Sequence, residues 1–165
     1  MIEKEVIDNF LPIFELKQIQ NIFLTGRGVW TFTPQGYKDG IPQERTQFVH
    51  MLWDPIWGIV TSYGEIGTFF LEKLNPRVLL RMKANLQLKD SKIHEDPLHV
   101  DFDNIEATTS IFYVNTCNGY TYFEDGSRVN SVENRLVTFP TKTLHGGANC
   151  TDQDCRIVIN LNYHK

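Results

Sequence analysis

Four side chains in the second half of the chain have types and spacing able to do chemistry together. His99 and Asp101 stand two apart in Leu98-His99-Val100-Asp101; His145 follows far downstream, and Arg156 comes eleven residues after it. Two imidazoles and one carboxylate occupy one face of a ferrous ion and leave the other positions open for substrate and dioxygen. In a strand, residues i and i+2 point to the same side. His99 and Asp101 can therefore bind one metal together while Leu98, Val100 and Phe102 face away, and a distant strand must deliver His145. A lone His-x-Asp is a weak signal, because a histidine beside a carboxylate is usually an ordinary hydrogen-bonded pair. The distal histidine and the arginine lift it above that level.

The elements that must position these residues are legible in outline. Ile7, Phe10, Leu11, Phe14, Leu16, Ile19, Ile22 and Phe23 recur at helical spacing, Pro12 suits a first turn, and Gly26 and Gly28 end the helix. The stretch Val29–Asp54 reads as irregular and rich in aromatics (Trp30, Phe32, Tyr37, Phe48, Trp53), a core segment or a substrate lid extending to Trp57. A second helix is predicted from about Glu65 to Leu74, stopped by Asn75-Pro76. After Pro76 the period changes to two: Val78, Leu80, Met82, Ala84, Leu86 and Leu88 alternate with Arg81, Lys83, Asn85 and Gln87. Short strands are then predicted at Leu98–Phe102, Thr108–Asn115, Gly119–Glu124, Arg128–Val132, Leu136–Phe139, Thr143–Gly146 and Arg156–Tyr163, separated by turn residues. Helices followed by short strands make an α+β fold with the helices on one face of an antiparallel sheet or rolled sandwich. The last strand splits cleanly, with Ile157, Ile159, Leu161 and Tyr163 on one face and Arg156, Val158, Asn160 and Asn162 on the other. That is the pattern of a barrel covered by helices outside and lined by polar groups inside.

Composition narrows the class. At 165 residues the chain has the length of one domain, and 41% hydrophobic against 22% charged residues describes a globular protein rather than a disordered one. A net charge of −4 and the lack of a basic cluster argue against a nucleic-acid partner. No apolar run approaches the ~20 residues of a membrane span, and the acidic N-terminus lacks a signal-peptide core. Three cysteines, Cys117, Cys150 and Cys155, exclude a complete disulfide framework and favour a reducing, cytoplasmic setting. Cys150 and Cys155 resemble half a zinc site that no second pair completes, so they read as small apolar or semi-exposed residues. His50, His94 and His164 lack ligand context.

The segment from about Arg77 to the C-terminus resembles the double-stranded β-helix core (jelly-roll, cupin-like) of iron(II)- and 2-oxoglutarate-dependent dioxygenases, in the prolyl-hydroxylase-like branch. The family pattern is His-x-Asp, a long gap, His, then a basic residue about ten positions on; here it is His99-Val100-Asp101, His145 and Arg156. Phe112-Tyr113-Val114-Asn115 resembles the family's "YLN" strand, Asn118-Gly119-Tyr120-Thr121-Tyr122-Phe123 its "GGxTxF" segment, and Asn134–Phe139 the strand before the distal histidine. Val6–Leu11 looks like the entry to the first helix, and small phage-encoded members have this length.

The resemblance implies that residues 1–165 form one oxygenase domain, with 1–76 as helical support and lid and 77–165 as the core. It implies His99, Asp101 and His145 as Fe(II) ligands, and 2-oxoglutarate and O2 as cosubstrates. Arg156 would anchor the far carboxylate of 2-oxoglutarate through its planar fork, with Tyr113 as a second contact and Asn85 and Asn160 as weaker candidates. The chain departs from some branches: collagen-type enzymes often carry Lys at the Arg156 position, and another branch has Ser where Val158 stands. Asp101 argues against the halogenating branch, which has a small residue there. The expected activity is hydroxylation of an unactivated C–H bond, of a prolyl or other peptidyl residue, in the cytoplasm (the host's if phage-encoded). The alternatives are an oxygenase of small molecules or nucleobases, and a non-catalytic jelly-roll binding protein.

Overall fold

The computed structural model describes residues 3–33, 37–38, 41–42 and 47–165. In chain order the elements are β1 (Glu5–Ile7), α1 (Ile13–Phe23), β2 (Thr31–Thr33), β3 (Tyr37–Lys38), β4 (Ile41–Pro42), β5 (Gln47–Asp54), β6 (Gly58–Ile59), α2 (Gly64–Leu74), β7 (Val78–Leu88), β8 (Thr108–Tyr113), β9 (Tyr120–Phe123), β10 (Arg128–Asn130), β11 (Arg135–Pro140), β12 (His145–Ala148) and β13 (Cys155–His164). An eight-stranded major sheet runs β1-β11-β8-β13-β7-β5-β2, with β6 paired to β5; a minor sheet runs β10-β9-β12. The segment before Asp101 extends the minor sheet past β12 through the bridges Glu95 to Ala148 and His99 to His145. All strand pairings are antiparallel.

The period-two pattern of β7 and β13 translates directly into two faces. One face carries Met82, Ala84, Ile157, Ile159, Leu161 and Tyr163, buried against Leu16, Ile19 and Phe23 of α1 and Ile66 and Phe70 of α2. The helices therefore cover one face of the major sheet, as the α+β reading requires. Between the two sheets lies a second apolar group, Ile111, Tyr113, Val137, Phe139 and Val158 from the major sheet with Phe123 and Val129 from the minor. This is the rolled sandwich of a double-stranded β-helix. Asn134, at φ 62°, holds the chain entering α1: its side chain accepts from Leu11 N and donates to Leu11 O, both at 2.8 Å, and its carbonyl accepts from Phe10 N.

The helical repeat does not begin at Ile7: Glu5–Ile7 form β1 on β11, and α1 starts at Ile13, after Pro12. Two further expectations are corrected. Val29–Asp54 is not irregular where it is described: β5 pairs with β7 and β2 pairs with β5, widening the major sheet. In Gln47-Phe48-Val49-His50-Met51-Leu52-Trp53 both faces are nonpolar or aromatic, and a bulge between Met51 and Trp53 breaks the alternation, so no period of two is visible. The part of the expected lid at 34–36, 39–40 and 43–46 lies outside the described residues. The other concerns Leu98–Phe102, which is not a strand. The backbone pairs with His145 only at His99 and then bends at Asp101. Phe102 does not simply face away; the Arg81 guanidinium lies over its ring at 4.9 Å.

Candidate active site

The minor sheet delivers both histidines. His99 and His145 exchange both backbone hydrogen bonds, at 2.9 and 3.0 Å, so they stand directly opposite and their rings meet at 4.8 Å between centroids. Each ring is fixed by its Nδ1, His145 on the carbonyl of Thr143 at 2.9 Å and His99 on that of Pro97 at 3.2 Å. A carbonyl only accepts, so Nδ1 carries the proton and Nε2 is left with a lone pair for a metal. The bend after His99 brings Asp101 across: its Oδ2 lies 3.9 Å from His145 Nε2. One ligand atom from each of the three residues lies within 4.8 Å of the others. Neutral imidazoles and one carboxylate on a single side form the donor set that suits ferrous iron with open positions.

Asp101 is held from the major sheet. Arg81 on β7 donates to Oδ1 at 2.8 Å; Asn162 and Asn160 on β13 reach Oδ2 at 2.9 and 3.3 Å, and Thr109 on β8 at 3.2 Å. Burial alone would push this carboxyl up, but the Arg81 guanidinium, then His145 and His99 whenever they carry a second proton, and the Asn162 hydrogen bond outweigh it and hold it at about 2. It therefore stays ionised and available as a ligand. Arg81 is the site residue that the spacing of motifs does not reveal. Its only signal is its place on the polar side of β7, which it shares with Lys83, Asn85 and Gln87.

Arg156 lies on the same interior face. It is 4% exposed, and its guanidinium donates to three neutral groups: Ser131 Oγ from Nε at 2.8 Å, Gln87 Oε1 from Nη1 at 3.1 Å and Thr121 Oγ1 from Nη2 at 3.1 Å. Those bonds use three of the five N–H donors of an arginine and leave one on each terminal nitrogen, the fork a carboxylate needs. The guanidinium sits 5.6 Å from the Tyr113 ring, and the Tyr113 hydroxyl donates to Thr121 Oγ1 at 2.8 Å. Asn85 and Asn160 line the same interior, and the Oδ1 atom of each is buried without a hydrogen-bond partner among the described residues. Asn160 is drawn to Asp101 rather than to Arg156. Lys83, opposite Asn160 in the β7–β13 register, is lowered to about 8 by burial first and by Arg81 second, against the pull of Asp101. Two buried, unsatisfied amide oxygens together with an open guanidinium fork fit an interior that takes a polar ligand beside the metal.

His50 is confirmed as a hydrogen-bonded residue away from the site, between Val29 O at 2.6 Å and Thr61 Oγ1 at 2.8 Å. Among the described residues no helix is long and apolar enough to cross a membrane.

No protein-family model and no curated protein matches the sequence. Solved structures do. An oxidoreductase of the 2OG-Fe(II) oxygenase family from Burkholderia pseudomallei superposes with a TM-score of 0.67 at 13% identity, over 98% of this chain and 84% of that one. A prolyl hydroxylase from Trichoplax adhaerens, in complex with a hypoxia inducible factor peptide, gives 0.61 at 15% identity over 98% and 83%. HygX from Streptomyces hygroscopicus, with nickel, 2-oxoglutarate and hygromycin B bound, gives 0.63 at 11% identity over 99% and 83%. The chain has the fold of the 2-oxoglutarate- and iron(II)-dependent oxygenases, and it carries a His-Asp-His group where the two sheets of that fold meet.

Proposed function

We propose that the chain, as one oxygenase domain over 1–165, is an Fe(II)- and 2-oxoglutarate-dependent dioxygenase that hydroxylates an unactivated C–H bond of a prolyl or other peptidyl residue. The observation that carries this reading is the convergence of His99, Asp101 and His145 on one face of an interior that also holds the open guanidinium of Arg156. When bound, the iron with 2-oxoglutarate and dioxygen supplies an oxidant able to break a C–H bond, with succinate and CO2 as co-products; the protein supplies binding and orientation.

His99 and His145 offer Nε2 because Pro97 and Thr143 fix their tautomers. Asp101 offers a carboxylate whose orientation is set by Arg81 and Asn162. Arg156 holds the far carboxylate of 2-oxoglutarate, with Tyr113 beside it; this contact replaces the Ser that Val158 displaces. Asn85 and Asn160 line the same interior as candidate cosubstrate contacts: 2-oxoglutarate offers only acceptors, so such a contact would use the amide N–H groups, and the amide oxygens would accept from a donor on substrate. A cytoplasmic setting is consistent with three cysteines that form no disulfide.

Of the neighbours, one is in complex with a peptide fragment and another has hygromycin B bound, so a small-molecule substrate stands as the second reading. Anaerobic addition of Fe(II) and 2-oxoglutarate should give a visible charge-transfer absorbance. Its absence would point to a non-catalytic jelly-roll protein. Mass spectrometry of proline-containing peptides and of polar small molecules, for gain of one oxygen, then decides the substrate class.

A further inference from the structure

Cysteine residues far apart in sequence are brought together at the end of the sandwich that holds Arg156. Cys117 lies in the connection between β8 and β9, and Cys150 and Asp152 in the one between β12 and β13. The sulfurs of Cys117 and Cys150 and a carboxylate oxygen of Asp152 all lie within 4.8 Å of one another. The two thiols are buried, at 7% and 0% exposure, whereas Asp152 is exposed. The connections are cross-braced. Asn118 N donates to both Asp152 oxygens at 3.0 and 3.1 Å, its amide donates to Thr151 Oγ1 at 2.7 Å, and Thr151 N returns a bond to its carbonyl at 2.9 Å. Cys155, which the sequence pairs with Cys150, is not a member of the cluster. Cys117 supplies the second sulfur instead.

We propose that Cys117, Cys150 and Asp152 form a second metal site, for a thiophilic divalent cation of the zinc class, separate from the His99–Asp101–His145 centre. Two thiolates and a carboxylate are three of the four ligands of a tetrahedral zinc site, and Zn–S and Zn–O bonds of about 2.3 and 2.1 Å set ligand atoms on the order of 3.5–4 Å apart. The three ligand atoms already lie within 4.8 Å of one another, and the exposed side of Asp152 admits the ion and a water as fourth ligand. Asp152, held by Asn118 N, converges on both sulfurs, which a metal would use and a disulfide would not. A bound dication deprotonates a coordinated thiol outright, and the two protons pass to water.

The site adjoins the Arg156 anchor. Cys117 N donates to Ser131 O at 3.1 Å, and the hydroxyl of the same Ser131 accepts from Arg156 Nε at 2.8 Å. Gly119, two residues after Cys117, would place a Cβ 2.7 Å from Arg156 Cδ. A cation here pins together the two connections that wall the guanidinium.

Cobalt(II) is the probe, titrated into reduced, metal-free full-length protein. The expected signal is an intense near-ultraviolet thiolate-to-cobalt charge-transfer band, which a site of two imidazoles and a carboxylate cannot produce, and zinc should displace it. The band should survive in the His99→Ala/His145→Ala double variant and vanish in Cys117→Ser/Cys150→Ser. Asp152→Asn, an exposed change that spares the buried sulfurs, should require at least about tenfold more cobalt, the loss that follows removal of even an outer-shell partner. No band in the wild type, an unchanged titration in Asp152→Asn, or a Cys117–Cys150 cross-link in protein isolated without reductant would each overturn the proposal. None of these readouts depends on turnover, so they leave the oxygenase reading to its own test.

Discussion

The two faces of β13 are equally hidden from water and are built for opposite purposes. Ile157, Ile159 and Leu161 are fully buried against the helices, while Asn162, Arg156 and Asn160 on the other face are 0%, 4% and 6% exposed. Burial therefore does not distinguish core from site. The helix-facing side is satisfied by apolar contact, which is non-directional and complete in the folded chain. The interior side is satisfied by directed hydrogen bonds and is left incomplete, with the Oδ1 atoms of Asn160 and Asn85 unpartnered among the described residues. The interior face is thus built for directed polar contacts, and the helix face supplies the apolar burial that stabilises the fold.

Substitutions can break this division at either face. The largest expected effect is on the interior: His99→Ala or His145→Ala should abolish Fe(II) binding and succinate formation; the unfolding midpoint in denaturant should hardly move for the half-buried His99, while His145, buried against Phe139, also loses some stability. Wild-type succinate formation by either variant would refute the metal centre. Asp101→Ala should lose hydroxylation yet keep some metal on the two imidazoles. The mirror experiment is Ile159→Ala on the helix face, which should cost about 2–5 kcal/mol of stability, as expected for a fully buried isoleucine, with succinate formation retained at temperatures where the protein stays folded.

Next in size is the anchor. A hydrogen bond to a charged partner contributes about 1.5–3 kcal/mol and 1.4 kcal/mol is one decade of affinity, so Arg156→Ala should weaken 2-oxoglutarate at least about tenfold. Arg156→Lys should recover part of that, restoring charge without the fork. The apparent constant for 2-oxoglutarate in succinate formation is the readout, and equal values for all three proteins would move the anchor elsewhere. Arg81, ion-paired to Asp101 at 2.8 Å, is already committed, which leaves Lys83 as the substitute.

The smallest effect sharpens the comparison through pH. Lys83 lies at about 8 in the folded protein against 10.5 in the unfolded chain. Above pH 10.5 it is neutral in both states and costs nothing. As pH falls from 10.5 to 8 the unfolded chain takes the proton first, so folding is penalised, and the penalty is complete below 8. At about 1.4 kcal/mol per pKa unit the ceiling is about 3 kcal/mol, and partial exposure brings it nearer 1. Lys83→Met should therefore stabilise the metal-free protein at pH 7, with the advantage shrinking as pH rises toward 10.5. A gain independent of pH would show that the ammonium already reaches water.

Local periodicity and spacing were enough for much of this molecule. Grouping His99, Asp101, His145 and Arg156 into one site rests on the resemblance to the oxygenase family, but the alternation of Ile157 to Tyr163 against Arg156 to Asn162 predicts both faces of β13 and the helical repeat up to Phe23 marks α1. These features are legible because each depends on which side of its own element a residue occupies, and a period of two or 3.6 reports that directly. Only the tertiary structure decided which partners meet across elements. It joined Arg81 to Asp101, Asn134 to Leu11 and Cys117 to Cys150 and Asp152; it turned the aromatic stretch at Gln47–Asp54 into a strand of the major sheet; and it replaced the expected strand at Leu98–Phe102 by one bridge and a bend. Such pairings follow from register, bulges and the approach of loops distant in sequence, and these are settled by the packing of the whole chain rather than by any segment's own pattern.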